Sequence, residues 1–218
     1  MPNITATNDG RATNYETTSW ADTRKATSCN TVSSSGALNS AIFAQKAAGR
    51  GGTTYGIART FMRFNTSSVT VNPANAFLNI YGYSDNDLDV IVVKAQTYST
   101  LDVTDFNNIF LGTTALNNSD GSGGGTFASS LVVEYSTVVD GISWSVGDWN
   151  VISLNSQALT GITSGSLFEI CVMGYTYDYL DIEPSSALRS GLYTSAESGK
   201  EPYISYVPSD ITFFGANF

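Results

Sequence analysis

Histidine is absent from this chain of 218 residues, and with it go the commonest general base and the commonest transition-metal ligand. Ser–His–Asp and Cys–His catalysis and His-ligated zinc are therefore excluded. Charge is also scarce: Asp, Glu, Lys and Arg make up 13% of the residues, about half the usual share. The charge present is mostly acidic, for a formal net charge of −9. Such a surface repels phosphate backbones, so a nucleic-acid partner is not expected. Cysteine is limited to Cys29 and Cys171, which fit no metal-binding spacing. They read as buried free thiols made in a reducing compartment, the alternative being a disulfide that closes a very long loop. No apolar run is long enough to cross a bilayer, so membrane insertion is not expected. The segment Met1–Thr5 lacks the basic and apolar regions of a signal peptide, and synthesis in the cytoplasm is the expectation.

What fills the space left by charge is Ser, Thr, Asn and Gly, which suit turns and a soluble surface without salt bridges. Short β-rich runs recur between turn-forming clusters, the pattern of a β-sandwich or barrel. They include Thr60–Phe64, Ala76–Tyr81, Val90–Ala95, Ser130–Tyr135, Trp149–Leu154, Leu167–Met173 and Tyr203–Val207. Val90–Val93 is apolar on both faces and is expected to be a central strand. Asn79 and Glu169 interrupt their runs and suggest a partly wet outer face. The segment Ala37–Ala48 holds many helix formers, yet Ser40–Ala44 followed by glycines reads as a strand entering a hairpin, and the strand is expected. A helical turn capped by Thr104 is expected near Thr104–Asn107. The Gly-rich Ser119–Gly125 lacks the ending of a phosphate loop. With no repeat and no linker, residues 1–208 are read as one domain and 209–218 as an apolar tail.

Three groups of residues could carry chemistry. Asp85, Asp87 and Asp89 alternate, and Asp178, Asp181 and Glu183 share one loop. Oxygen ligands at that density suit Ca²⁺, the alternative being solvated turn carboxylates. Tyr175, Tyr177 and Tyr179 also alternate, so on an extended segment they would share one face and could stack on sugar rings. Trp144 and Trp20, in polar turn-like surroundings, could do the same. The alternative for these aromatics is the core or a subunit interface, which is where Trp149 is expected. Finally, Phe213, Phe214 and Phe218 in the tail would form an apolar patch if exposed. They either fold back on the domain or dock on a neighbouring subunit. No two carboxylates are forced into one cleft, and an enzymatic role is not expected.

The strand Arg59–Ser68 followed by Asn75–Tyr81 resembles the "R-x-F-x-x-F-D-T-S" and "A-x-L-x-L-Y" strands of the carbohydrate-binding-type jelly rolls named for a DNRLRE motif. Trp149–Asn155, Tyr177–Pro184 and Thr194–Tyr206 resemble that family's later strands and loop in the same order. Asn65 stands where the family often has Asp, and the DNRLRE signature itself is missing. The resemblance implies an all-β fold, a two-sheet antiparallel jelly-roll β-sandwich like that of a carbohydrate-binding module. Chains of this look resemble surface proteins of tailed-bacteriophage virions, which implies a non-catalytic display role as a capsid decoration or fibre component. The partners so implied are other virion proteins and further copies of itself. The alternative is a carbohydrate-binding module that recognises a cell-surface glycan.

Overall fold

The computed structural model describes residues 1–17, 19–33, 39–96, 98, 100–109 and 132–209. Within them the chain is an all-β protein with few helices. Its strands are β1 (Asn3–Glu16), β2 (Thr31–Ser33), β3 (Asn39–Gly49), β4 (Gly52–Asn65), β5 (Asn75–Asn86), β6 (Val90–Lys94), β7 (Trp149–Ser153), β8 (Leu167–Gly174), β9 (Leu188–Tyr193) and β10 (Tyr203–Val207). Every pairing between these strands is antiparallel.

Two long strands organise the rest by changing partners along their length. β1 pairs with β10 through Asn3–Thr5 and with β4 through Ala6–Glu16. β5 pairs with β10 and β7 through Asn75–Tyr81, then with β9 through Gly82–Asn86. Each switch coincides with an irregular register, between Ala6 and Asn8 in β1 and between Gly82 and Ser84 in β5. An irregularity of this kind bends a strand and increases its twist, which lets one chain segment serve two groups of strands. The ladder therefore closes on itself in the order β1, β10, β5, β9, β3, β4 and back to β1. β8 and β6 extend from the far end of β4.

The interior follows from side-chain alternation. In β5, Ala76, Leu78 and Ile80 are sealed inside, while Phe77, Tyr81 and Tyr83 point outward. β4 is buried over Gly56–Met62 and at Phe64, with β1 along one edge and β3 and β8 sharing the other. The expected strand within Ala37–Ala48 forms as β3. Both cysteines are free thiols and buried.

Several expectations need correction. β6 lies at the end of the strand order, not at its centre. Its apolar residues are nonetheless buried, because residues 133–139 lie alongside: Val90 and Val139 exchange backbone hydrogen bonds of 2.9 and 2.8 Å, and Tyr135 N–H donates to Val92 at 2.8 Å. The run expected as a strand over Ser130–Tyr135 makes only an isolated bridge at Glu134, its first two residues lying outside the described set. Asn79 and Glu169 are not wet. The Asn79 amide donates to Phe77 O, Tyr203 O and Ser205 Oγ, and Glu169 accepts from Arg63 at 2.8 Å. The turn at Val103–Asn107 is a 3₁₀ helix capped by Asp102, whose carboxylate accepts the Thr104 N–H.

Two short helices were missed. α1 (Trp20–Lys25) begins at Ser19, whose hydroxyl accepts the Asp22 N–H, and ends in Arg24 and Lys25, as the helix dipole favours. α2 (Ser156–Thr163) is capped by Asn155, which accepts from Gln157 and Ala158. Ser119–Gly125 and the tail residues Phe213, Phe214 and Phe218 lie outside the described residues.

Candidate functional site

The structure places the sequence-predicted sites in two kinds of setting: aromatics that are largely packed, as the core alternative had it, and carboxylates held by cations or backbone N–H groups. Tyr175–Tyr179 is a turn of π-helix at the end of β8, so its tyrosines do not form an extended row. Tyr175 stacks on Tyr179 with centroids 5.5 Å apart, and Tyr179 is buried with its hydroxyl donated to Glu134. Burial together with that nearby carboxylate raises the Tyr179 phenol above its ordinary range. Tyr177 remains half-buried. Trp144 and Trp20 are 5% and 4% exposed, and the Trp144 indole N–H donates to Gly191 O at 3.2 Å. Both are core residues and offer no stacking surface.

The acidic loop is pinned by arginines. Arg59 in β4 donates through Nε and Nη2 to the two carboxylate oxygens of Asp178, at 2.7 Å each. Its Nη1 reaches Phe106 O at 2.7 Å, and the Phe106 ring lies 4.1 Å beneath the guanidinium. Arg24 in α1 donates to Asp178 O at 2.6 Å and lies 3.2 Å from an Asp181 oxygen. Glu183 pairs with Lys46 in β3. Asp178, Asp181 and Glu183 thus each turn to a cation rather than to one another. In the other cluster, Asp85 accepts the Asp87 N–H, while Asp89 accepts from Gly141 N–H at 2.9 Å and from the Thr176 hydroxyl at 3.0 Å. Among the described residues no three His, Cys, Asp or Glu side chains come together as a metal site.

What the fold does assemble is an outward aromatic face on β5, β7, β9 and β10. The register places Tyr81 opposite Trp149, and Asn79 opposite both Val151 and Tyr203. The rings form a connected run. Tyr203 meets Trp149 at 5.0 Å, Trp149 meets Tyr81 at 5.2 Å, Tyr81 meets Tyr193 at 5.8 Å, and Tyr193 meets Tyr83 at 5.3 Å. All four contacts are edge-to-face, the geometry that the ring quadrupole favours. Tyr83 is 47% exposed and Val151 beside the run is 60% exposed, while the other four rings are half-buried. The Tyr81 hydroxyl is donated to Gly147 O, which fixes that ring.

The β5 irregularity makes this face. Gly82 pairs with Leu192 and Ser84 with Gly191, leaving Tyr83 as the extra residue turned outward. Glycine is required at Gly82, because a Cβ there would come within 1.8 Å of Ser145 O. The loop after β9 then returns over the rings through a turn at Gly199, whose φ is +81°. Lys200 Nζ comes to 3.9 Å from the Tyr193 centroid and 5.3 Å from that of Tyr81. That loop is tied to β1 by buried Asp9, which accepts the Ser195 N–H at 2.6 Å and the Ser195 hydroxyl at 2.8 Å.

Sequence reasoning passed over this face, placing Trp149 in the core or at a subunit interface. The available signal was the alternation in Ile80-Tyr81-Gly82-Tyr83, with aromatics at every second position of a strand whose other positions are small or aliphatic. Comparison with models of known protein families and with curated protein sequences gives no match to this chain.

Proposed function

We propose that this chain is a non-catalytic binding and display protein whose outward aromatic face stacks on a carbohydrate. The observation that carries the reading is the connected run Tyr203–Trp149–Tyr81–Tyr193–Tyr83 on one sheet face. Tyr and Trp offer rigid apolar area with a polar edge, and little side-chain entropy is lost when they bind. Rings already locked edge-to-face are preorganised for that contact. We read the two strand groups joined by β1 and β5 as the two sheets of a carbohydrate-binding-module-like jelly roll. The resemblance of Arg59–Tyr81 and the later strands supports a setting on a bacteriophage virion surface, as a decoration or fibre component.

The test uses the chain's own fluorescence. Trp20 and Trp144 are buried, so a ligand on the face should change the emission of Trp149. In a glycan screen read by emission, Tyr83→Ala should weaken binding by about 2- to 12-fold, the equivalent of one aromatic contact, and Trp149→Ala, followed by titration calorimetry because it removes the reporter, should weaken it by as much. Glycan binding equal to wild type in both variants, or no glycan bound at all, would refute the aromatic face. Co-sedimentation with native particles tests the virion setting, and a chain never found on particles would remove it.

A further inference from the structure

The charges around the aromatic run limit what could bind there. Lys200 is the cation seated on the rings, and it lies 3.5 Å from Glu197. Glu201 follows it and accepts the Gly199 N–H at 2.8 Å. At the β7 end of the run, Asp148 is exposed and accepts the Trp149 N–H at 2.8 Å. Arg189, further along β9, is exposed where that strand meets Asn86 and Asp87 of the β5 end. Among the described residues, the rim nearest the rings thus sets Glu197, Glu201 and Asp148 against one ammonium that already has a carboxylate and a ring face as partners. The chain as a whole carries −9. A uronate, sulfate or sialate brought to this rim would meet like charge, and the ammonium seated on the rings already has Glu197 and the Tyr193 face as partners.

From this we infer that the aromatic face selects an uncharged glycan, an inference that rests on the carbohydrate reading above. A neutral sugar suits both parts of the site. Its C–H face packs on the rings, and its hydroxyls donate to Glu197, Glu201 and Asp148, where charge-assisted hydrogen bonds are stronger than neutral ones. Because no charge on the ligand is involved, affinity should hardly depend on salt.

The experiment is affinity electrophoresis of the full chain through gels carrying neutral polysaccharides (a β-glucan, a mannan, a galactan) or acidic ones (alginate, polygalacturonate, a sulfated galactan). Runs are made at low and at high ionic strength. Retardation by a neutral polymer that persists in high salt, with acidic polymers at least ~10-fold weaker, is expected. The Glu197→Lys/Glu201→Lys variant should bind the neutral polymer more weakly, because two hydrogen-bond acceptors are lost, and should gain salt-sensitive retardation by the acidic polymers. Tight binding of an acidic polymer by the wild type, lost in Tyr83→Ala, would overturn the selectivity while leaving the aromatic face as the site. Retardation by none of the polymers would overturn the carbohydrate reading itself, and the selectivity with it.

Discussion

Asp178→Asn is the sharpest test of what holds the π-helical turn in place. Asp178 is 1% exposed and receives two 2.7 Å hydrogen bonds from an Arg59 side chain that is itself fully buried. The substitution keeps the volume but turns one acceptor into an NH₂ donor facing a guanidinium that can only donate. Arg59 would retain Phe106 O and the Phe106 ring, while Arg24 would retain Asp181. Removing one partner of a buried pair strands the other charge and costs about 3–5 kcal/mol. For a domain of this size each kcal/mol shifts Tm by about 2–4 °C, so the midpoint should fall by about 6–20 °C. Urea unfolding followed by circular dichroism measures the free energy, and a differential scan measures Tm. Arg59→Met combined with Asp178→Leu should unfold less readily than Asp178→Asn alone, because no charge is left stranded. A loss under about 1 kcal/mol, or a double variant no better than the sum of its single changes, would refute the pairing argument.

Two further predictions concern residues that shape or brace the aromatic face. Gly82→Ala should destabilise by about 1–3 kcal/mol, since its Cβ meets the Ser145 backbone at 1.8 Å, and it should weaken glycan binding along with stability; unchanged stability and binding would contradict the required close approach. Burial holds the Asp9 carboxyl above its ordinary 3.8, although both Ser195 hydrogen bonds pull the other way. The folded chain therefore binds that proton more tightly than the unfolded chain, so this group adds stability below about pH 4 and loses it as pH rises through the folded value. Urea titrations across that range should show the wild type gaining on Asp9→Asn as pH falls, and a difference that is flat with pH would count against it.

The all-β class was legible because β-rich runs alternate with turn residues along the whole chain, and most of the runs form strands. The misreadings share a physical cause. Asn79 and Glu169 looked solvent-facing because each interrupts an apolar run, yet each is buried beside a cross-strand partner, Ser205 and Arg63, that sequence order places far away. Asp178 looked like a metal ligand because nothing near it in sequence is basic. Its partner Arg59 arrives from β4, and only the pairing of β4 with β8 brings the two together. Tyr175–Tyr179 had the period of a strand, but Asp178 must reach inward to Arg59 and Leu180 N–H returns to Tyr175 O at 2.9 Å, which winds the segment into a π turn. Trp20 looked exposed because its neighbours in sequence are polar and turn-like, yet it opens α1, which packs against β1 and β4 and buries it.

The aromatic face carries more weight than an isolated exposed tyrosine because register forbids a simpler arrangement. Slipping β5 by one residue would bury Tyr81 and Tyr83 but would also expel Ala76, Leu78 and Ile80, which are sealed inside. The outward rings are thus the cost of an inward aliphatic row, unless the strand were polar on its outer side. In β7 the same outer side carries Trp149 and Val151, and in β10 it carries Tyr203, although Ser, Thr and Asn are plentiful elsewhere in the chain. A chain with so little charge and so much neutral polar material could have covered this sheet with hydroxyls and amides. That it does so at exposed Ser153 but places five connected rings a few residues away sets two kinds of surface on one face. The polar position suits a solvated sheet edge, and the rings are the part that the proposed carbohydrate contact would use.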